Sequence, residues 1–447
     1  MLHIPDLLLK SLTGLEGFDE EAFIKAHQVE NKITSIRLNP FKKGLEKLDF
    51  IVNEKVKWAN DAFYLDVRPS FILDPLFHAG CYYVQEAGSM FIEHALKNTI
   101  DFSGSVNVLD LCGAPGGKST LINSLLNDQS LLVANEFIKN RADILTQNLS
   151  KWGTNNTVVT NNDPQKFSSL NSFFDAVVVD APCSGSGLFR KQPEAIEEWS
   201  NDNVNLCSNR QRTILLHVLP CLKENGILVY STCSYSVKEN EDIVKWLIDD
   251  CRMEYVPLSL PLDWGIVETQ AGYRFYPHLT KSEGFFCAVL RKRSSEEDVY
   301  VSKKTSNVEA TKAERVLLDN FLKDKDASII KKNNQFHMLN RSALIFITAF
   351  EKQFYFKKAG CVMGEIKGKD MVPNQELAWS AALNAAVSRV DLDKDAALKF
   401  LRKESFFLPQ ALKGFTCITY KNFALGWAKI LPNRINNYLP NELRILK

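Results

Sequence analysis

The stretch Val108-Leu109-Asp110-Leu111-Cys112-Gly113-Ala114-Pro115-Gly116-Gly117-Lys118 reads as a buried strand that breaks into a glycine loop and then a helix. The glycines remove side chains where a ligand comes close, and Pro115 stiffens the turn. Backbone amides at the start of the following helix favour an anionic group such as a carboxylate. Phosphate binding is the rival interpretation, but the loop lacks Walker spacing and its Lys-Ser ending is only a partial match.

Around this loop, residues 105–292 alternate between strand and helix, which predicts a doubly wound and mostly parallel sheet. The predicted strands are Val106–Leu111, Leu131–Glu136, Thr157–Asn161, Phe174–Asp180, Gly226–Ser231 and a late edge strand, Gly284–Leu290. The predicted helices are Lys118–Leu126, Ile138–Ser150, about Glu194–Trp199, Asn203–Leu219 and Val237–Asp250.

Two cysteines follow two of these strands. Cys183 lies in Asp180-Ala181-Pro182-Cys183-Ser184-Gly185, after the apolar run Ala176–Val179. Cys233 lies in Ser231-Thr232-Cys233-Ser234, after Ile227–Tyr230. Ligands of an open parallel sheet bind outside the carboxyl ends of its strands. We therefore expect the glycine loop, both thiols and the Asp180 carboxylate to face one pocket.

This combination resembles the Sun/Fmu/nucleolar-protein family of RNA cytosine-C5 methyltransferases over about Arg37–Arg291, closest to its bacterial RsmF-like 16S rRNA members. The resemblance implies an α/β fold: a Rossmann-like class I methyltransferase with a seven-stranded, mostly parallel sheet. It also implies an N-terminal α+β RNA-binding region. The stretch from Phe423 to Arg444 resembles bacterial ribosomal-RNA members that carry a PUA-like α+β domain, an RNA-binding module.

The expected domains are an N-terminal RNA-binding and packing region (1–100), the catalytic domain (101–293), a polar linker (294–312) and a basic PUA-like region (313–447). The charges are uneven. Residues 301–447 carry a net charge of +11, and the preceding 300 residues carry −10. A basic C-terminal third favours a polyanionic partner. We expect a chain ending near Arg293 to keep its cofactor pocket but to bind RNA more weakly.

The resemblance also implies a chemistry for the pocket. Cytosine C5 is a poor nucleophile, and a thiolate that adds to C6 turns the ring into an enamine whose C5 can attack a methyl group. Cys233 would be this nucleophile, and Cys183 would assist proton removal or release. Asp180 would hydrogen-bond the N3/N4 edge of cytosine. Lys118 would lie near the reacting base or contact the carboxylate of the cofactor.

The implied cofactor is S-adenosyl-L-methionine, with the glycine loop at its methionine end. Glu136 suits the ribose hydroxyls, although it could also be an exposed strand-end carboxylate. Asp163 matches the position that accepts the adenine amino group, and Arg141 matches an arginine near the cofactor. The expected cofactor-binding residues are Cys112, Gly113, Ala114, Pro115, Gly116, Gly117, Lys118, Glu136, Arg141, Asp163 and Asp180.

RNA is the expected partner, as small-subunit ribosomal RNA or a 30S particle. The expected RNA contacts are Arg37, Asn39, Tyr83, Gln85, Arg190 and Lys191. A tRNA substrate shares all the chemistry and is the nearest alternative. DNA cytosine methylation is disfavoured because enzymes of that class do not need the Thr-Cys cysteine. A non-catalytic RNA-binding assembly factor is disfavoured because both cysteines are present.

The composition of the chain limits the classes of protein to which it can belong. The chain has 447 residues, of which 45% are hydrophobic and 24% charged, with no run long enough to span a bilayer and no signal-peptide pattern at its start. Ten cysteines and seven histidines show no CxxC, HxH or HExxH spacing. We expect a cytoplasmic monomer with no membrane partner and no metal.

Overall fold

The alternating region folds into one large mixed sheet. A computed structural model of the protein describes residues 3–29, 33–42, 48–293, 308–325, 327–408 and 412–446. Of the predicted linker 294–312, residues 294–307 lie outside the described residues. The remainder holds a two-residue strand and the first residue of a helix.

The α-helices of the described residues are α1 (Asp6–Leu12), α2 (Glu20–Gln28), α3 (Pro75–His78), α4 (Phe91–Lys97), α5 (Gly117–Leu125), α6 (Lys139–Trp152), α7 (Ala195–Glu198), α8 (Asn201–Val218), α9 (Glu241–Asp249), α10 (Lys312–Leu318), α11 (Arg341–Phe350), α12 (Gln375–Trp379) and α13 (Lys394–Leu401). The strands are β1 (Thr34–Leu38), β2 (Ala62–Leu65), β3 (Tyr82–Val84), β4 (Asn107–Asp110), β5 (Leu131–Asn135), β6 (Thr157–Thr160), β7 (Phe174–Asp180), β8 (Leu222–Thr232), β9 (Met253–Tyr255), β10 (Val267–Thr269), β11 (Gly272–Phe275), β12 (Phe285–Lys292), β13 (Val308–Glu309), β14 (Ser328–Lys332), β15 (Gln335–Leu339), β16 (Phe356–Ala359), β17 (Cys361–Lys367), β18 (Asp370–Pro373), β19 (Arg389–Leu392), β20 (Gly414–Tyr420), β21 (Phe423–Leu431) and β22 (Arg434–Asn437).

The centre of the large sheet consists of five parallel strands in the order β6-β5-β4-β7-β8. The chain winds outward from β4 in one direction to β5 and β6, and then returns to place β7 on the other side of β4. This reversal creates a crevice at the carboxyl ends of β4 and β7, which is where open α/β sheets bind ligands. The predicted doubly wound parallel sheet is therefore present.

Helices cover both faces of this sheet because the strands are apolar on both sides. Along β7, Val177 and Val179 belong to one buried core, and Ala176 and Val178 belong to the other. A strand buried on both faces reads as a continuous apolar run, which is why the sequence marked β7 so clearly.

The sheet has ten strands rather than the predicted seven, because short antiparallel strands extend both of its edges. On one side, β12 pairs with β8, β11 and β9, so the predicted edge strand Gly284–Leu290 lies inside the sheet. The hairpin of β10 and β11 was missed because its strands have only three and four residues.

The other extension comes from the C-terminal third, where β16 pairs antiparallel with β6. Helix α11 packs beside it and places Phe346 and Phe350 in the same core as Val177. Removing every residue after Arg293 would expose this core and uncover β6, contacts that the expectation of an intact cofactor pocket in such a chain did not take into account. A fully buried side chain of this size stabilises the fold by about 1.5–3 kcal/mol.

The N-terminal and C-terminal regions also pack on each other. Strands β1, β2 and β3 form an antiparallel sheet, and the C-terminal strands β19–β22 form another. One hydrophobic core contains Ile36 and Tyr82 from the first sheet together with Phe400 and Ile418 from the second region. The basic C-terminal third is therefore built into the body of the protein.

Candidate active site

The glycine loop occupies the turn between β4 and α5. Gly116 has a φ of +117°, in the region that favours glycine, and it lies immediately before the first residue of α5. A Cβ added to Gly113 would lie 2.7 Å from Ser119 Oγ. The Gly113 amide donates to the carbonyl of Asn135, at 2.8 Å, which ties the loop to the end of β5.

Asp110 is the last residue of β4 and contacts Ser119 in the helix that follows the loop. It was not predicted as a site residue. Its side chain is fully buried, and Oδ2 accepts a hydrogen bond of 2.5 Å from Ser119 Oγ. Burial raises the pKa of Asp110 to about 7. Oδ1 has no hydrogen-bond partner among the described residues. A strand-end aspartate gives no sequence signal that separates this position from a turn residue.

Carboxylates also lie at or just beyond the ends of β5, β6 and β7, the strands on either side of β4. Glu136 follows β5, Asp163 lies just beyond β6, and Asp180 is the last residue of β7. Glu136 is 4% exposed, and Oε1 accepts a hydrogen bond of 2.9 Å from the Ile138 amide. The interpretation of Glu136 as an exposed strand-end carboxylate is therefore wrong.

Arg141 and Asp163 occupy the rim of the same edge. The Arg141 guanidinium lies 3.6 Å from the Glu136 carboxylate and donates to the Ala114 carbonyl at 3.1 Å, so it connects Glu136 to the glycine loop. Asp163 is exposed, and Oδ1 accepts a hydrogen bond of 2.8 Å from the Gln165 amide.

The residues at this edge have the donors and acceptors that S-adenosylmethionine needs. Carboxylates suit its hydroxyl and amino groups, and amides at the start of α5 suit its carboxylate. The Asp110 Oδ1 atom is buried and has no donor among the described residues, so it can accept a hydrogen bond from a ligand.

The Asp180 carboxylate is fixed on both of its oxygens. Lys118 Nζ lies 2.8 Å from Oδ2, and the Ser231 hydroxyl donates to Oδ1 at 2.8 Å. Burial alone would lower the pKa of Lys118, but the Asp180 carboxylate raises it above its ordinary value. The two groups therefore form a charged pair next to the first cysteine turn.

The two cysteines meet at the ends of adjacent parallel strands. Cys183 Sγ and Cys233 Sγ are 2.8 Å apart. The turns that carry them are joined through the backbone, because the Gly187 amide donates to the Cys233 carbonyl at 2.8 Å. The contact with Cys233, together with burial, raises the pKa of Cys183 well above its ordinary value. Cys183 is thus a thiol that holds its proton at neutral pH.

Glu239 lies behind both cysteine turns and was missed by the sequence analysis. Its buried carboxylate accepts hydrogen bonds from the Ser184 amide (2.7 Å), the Ser184 hydroxyl (2.6 Å) and the Ser234 hydroxyl (2.6 Å). Burial raises the pKa of Glu239. In sequence this glutamate looks like one more charge in Ser-Val-Lys-Glu-Asn-Glu, and no pattern distinguished it from a solvent-exposed helix start.

Three predicted RNA contacts lie inside the protein instead. Arg37 is 2% exposed and donates to Thr120 Oγ1 at 2.6 Å and to Gln85 Oε1 at 3.0 Å. Asn39 is buried and donates to the carbonyls of Gly80 and Trp152. Because their polar atoms bind other protein groups, Arg37, Asn39 and Gln85 join the N-terminal region to the catalytic domain and are not presented to RNA.

Of the remaining predicted RNA contacts, Tyr83 and Lys191 lie nearer the surface, and Arg190 does not. Tyr83 is half-buried beside the glycine loop, and Lys191 is exposed. The Arg190 side chain is only 8% exposed and lies 3.9 Å from Glu283, so a phosphate could not reach it in this structure. Among the described residues, no group of three or more His, Cys, Asp or Glu could hold a metal ion. No described helix is both long and apolar enough to cross a membrane.

Comparison with known proteins places these features in a family. The model for 16S rRNA methyltransferase RsmB/F matches residues 99–291. The N-terminal domain of 16S rRNA methyltransferase RsmF matches 4–87, and the methyltransferase RsmF PUA domain matches 387–445. The ribosomal RNA small subunit methyltransferase F of Vibrio vulnificus is 30% identical over 99% of this chain and 98% of its own length. The chain belongs to the RsmB/F family.

Other relatives agree with this membership. The protein of the same name from Pectobacterium atrosepticum is 30% identical, over 92% of this chain and 89% of its own. A solved methyltransferase homologue from Pyrococcus horikoshii is 28% identical with a TM-score of 0.53, covering 65% of this chain and all of that one. NSun6 from Pyrococcus horikoshii, solved with the S-adenosylmethionine analogue SFG, shares the fold at 21% identity, with a TM-score of 0.56 and coverage of 65% and 99%.

Membership of the RsmB/F family confirms the predicted family, the Rossmann-like fold with a C-terminal PUA domain, the RNA methyltransferase activity and the S-adenosylmethionine cofactor. The protein is an RNA methyltransferase that depends on S-adenosylmethionine.

Proposed function

We propose that this RsmB/F protein methylates C5 of a cytidine in 16S ribosomal RNA through a covalent bond between Cys233 and C6. One observation carries the proposal: two thiols 2.8 Å apart lie at the ends of adjacent parallel strands, next to the Asp180 carboxylate. A methyl transfer to a nitrogen or an oxygen needs no thiol. A transfer to a ring carbon needs a nucleophile that can add to the ring and leave again.

The proposed reaction begins when the Cys233 thiolate forms an S–C6 bond and the ring electrons move to C5. S-adenosylmethionine supplies the electrophilic methyl group that C5 then takes up. A base must next remove the C5 proton, and the electrons left behind reform the C5–C6 double bond as the S–C6 bond breaks. Cys183 lies in contact with Cys233 and keeps its proton at neutral pH, so it can donate that proton to the Cys233 sulfur as the S–C6 bond breaks and thereby assist release.

Asp180 is proposed to select cytosine. Cytosine presents an amino group at N4 and an acceptor at N3, and a protonated N3 makes C6 more open to thiolate attack. A carboxylate held in place by Lys118 and Ser231 can accept from N4 and from a protonated N3. Uracil offers O4 in place of the amino group, so the same carboxylate would repel it. Electrostatic groups fixed before the substrate arrives stabilise a transition state most strongly.

The proposed cofactor contacts follow the strand ends. Glu136 would accept hydrogen bonds from the ribose hydroxyls, Asp163 would accept one from the adenine amino group, and loop residues 112–118 would hold the methionine end. Arg141 would hold Glu136 and the glycine loop in fixed positions relative to each other, since it contacts both.

The proposal of a 16S rRNA substrate rests on the relatives that this chain matches along nearly its whole length. The relatives that match nearly the whole chain carry the name ribosomal RNA small subunit methyltransferase F. A tRNA substrate would use the same chemistry. The proposed setting is the cytoplasm, with free 16S rRNA or a 30S particle as the partner of a monomer.

Bisulfite sequencing of total RNA tests the proposal. In RNA from a strain that lacks the gene, one cytidine of 16S rRNA should become convertible, and the wild-type gene should restore its protection. A gene encoding Cys233→Ala should not restore it. If the only cytidine that loses protection lies in a tRNA, the substrate is that tRNA and not 16S rRNA. If every cytidine stays protected as in the wild type, the proposal of C5 methylation is overturned.

A further inference from the structure

A cavity of about 310 Å³ opens where α3, β3 and α6 meet. It lies against the glycine loop. The Asn148 amide group donates to the Pro115 carbonyl at 2.7 Å, and the Tyr83 ring would lie 3.3 Å from a Cβ on Gly117. Neither catalytic thiol lines this cavity. Its size is at the lower end of the range of small-ligand sites, roughly 300–1,000 Å³.

Aromatic rings and cations line this cavity together. Lys151 Nζ lies 5.1 Å from the centre of the Phe77 ring, and the Arg68 guanidinium lies 5.2 Å from that of Phe71. No Asp or Glu occurs among the described residues that line it. Burial lowers the pKa of Lys151 to about 8. A desolvated cation without a carboxylate beside it gains stability when an anion enters.

The cavity continues toward the active site. A second depression shares Arg68 and Val84 with the cavity and extends to Lys191, in the segment that follows the Cys183 turn. Glu86 and Glu283 also line this second depression, and the Glu86 carboxylate accepts hydrogen bonds from three backbone amides. The cations Lys191, Arg68 and Lys151 thus line two depressions that share Arg68. Proteins bind single-stranded nucleic acids in depressions where cations follow the backbone and aromatic rings stack on bases.

We propose that one nucleotide of the RNA substrate, other than the methylated cytidine, binds in this cavity. Its base would stack on the half-buried rings of Phe77 and Tyr83, and its phosphate would contact Lys151 and Arg68. The proposal deepens the proposed function and rests on its RNA substrate. It requires an unpaired nucleotide, because a base can enter an aromatic cavity only when it leaves its helix.

RNA binding without turnover tests the cavity separately from the chemistry. The full-length Cys233→Ala protein, without S-adenosylmethionine, is titrated into a fluorescein-labelled single-stranded RNA of about ten nucleotides. The test variant adds Arg68→Gln and Lys151→Met, which remove two charges but keep most of each side chain. The matched control adds Arg210→Gln and Lys245→Met, at two exposed cations outside both depressions. Calorimetry with S-adenosylmethionine verifies that both variants are folded.

We expect the test variant to bind this RNA about tenfold more weakly than the control. Its slope of log affinity against log salt should be shallower by about 1–2, because fewer counterions are released. Photocrosslinking with 4-thiouridine in the same RNA should label peptides that contain Phe77 or Tyr83. Equal affinities for test and control variants, with crosslinks only to other peptides, would overturn the cavity site. If the cavity results hold while bisulfite sequencing shows no C5 methylation, only the proposed chemistry fails.

Discussion

Cys183 Sγ lies 2.8 Å from Cys233 Sγ, although the two residues follow different strands of the sheet. The contact gives the two thiols unequal roles. Cys183 keeps its proton at neutral pH because the neighbouring sulfur and burial both raise its pKa. A protonated Cys183 can donate its S–H to the sulfur of Cys233 and stabilise a thiolate there.

The first prediction concerns this pair. Cys233→Ala should abolish methyl transfer, because the neighbouring thiol, Cys183, holds its proton and would not replace it as the nucleophile. Cys183→Ala should still add to the ring but release it slowly, so a covalent protein–RNA adduct should accumulate on denaturing gels with labelled RNA. Cys251→Ala, at a half-buried thiol away from the site, serves as the control and should behave as the wild type. An adduct with Cys233→Ala and none with Cys183→Ala would reverse the assigned roles.

Glu239 should affect the reactivity of Cys183 and Cys233, because its carboxylate binds the two turns that carry them. In the wild type, the Ser184 amide and the hydroxyls of Ser184 and Ser234 all donate to the Glu239 carboxylate. Glu239→Gln keeps the volume of the side chain but replaces one accepting oxygen with an NH₂ group, which cannot accept from these donors. We expect kcat to fall roughly tenfold, as for a lost hydrogen bond to a charged group. The Glu239 charge also raises the pKa of Cys183, so the limb of the pH–rate profile that reports Cys183 should move to lower pH.

Glu224→Gln, at an exposed glutamate, is the matched control for this substitution. A lower unfolding temperature with an unmoved pH–rate profile would mean that Glu239 only supports the fold.

Cofactor affinity should depend on the strand-end carboxylates. Glu136→Ala and Asp163→Ala should each weaken S-adenosylmethionine binding by roughly 1–3 kcal/mol in calorimetry. Asp163→Asn separates two effects, because it can still accept from the Gln165 amide while losing its charge. Asp128→Ala, at an exposed loop aspartate, controls for the loss of a surface charge. Unchanged affinity in both test variants would remove these residues from the pocket.

The basic C-terminal third should supply sequence-independent RNA affinity. Truncation at Arg293 cannot test this, because it removes α11 and β16 from the catalytic core. Instead, Lys369, Lys399 and Arg434, all exposed, are changed together to Gln. RNA binding should weaken, with a salt slope shallower by about 1 for each phosphate that the protein no longer neutralises.

The control for this triple substitution changes exposed lysines outside the C-terminal third, Lys10, Lys25 and Lys245, to Gln. Identical slopes for the two triple variants would make the C-terminal charge a solubilising surface only.

His27 should limit stability in acid. Burial lowers its pKa to about 4, from an ordinary value near 6.5. Between these values the unfolded chain binds a proton and the folded chain does not, so the free energy of unfolding should fall as the pH drops from 6.5 to 4. The full contribution is about 3 kcal/mol. Denaturant unfolding should show a flatter acid limb for His27→Gln than for the wild type, and no flattening for the exposed-site control His3→Gln.

The sequence predicted the parallel core of the sheet well, because β4, β5, β6 and β7 are apolar on both faces and end in recognisable turns. It also located both cysteines just beyond their strands. The short strands β9, β10 and β11 were missed, because a strand of three or four residues is too short to show a recognisable alternation of apolar and polar residues.

Residues that act on other protein groups were the hardest to predict. Arg37 looked like an RNA contact because a cation usually stays in water, but here Trp152 stacks on its guanidinium and four oxygen atoms accept from it. Glu239 was missed for the converse reason. Its partners, Ser184 and Ser234, lie on two different turns, and only the folded sheet brings them together.

The pairing of β16 with β6 has a consequence for how the chain is made. A ribosome completes β6 long before it reaches Phe356, and at about 5–20 residues per second the delay is roughly 10–40 s. During that time β6 is an open sheet edge, whose unpaired amide and carbonyl groups can accept a strand from another nascent chain. A premature stop codon after Arg293 would leave every catalytic residue in place and this edge uncovered. Such a truncated chain should therefore be lost to aggregation in the cell before its activity could matter.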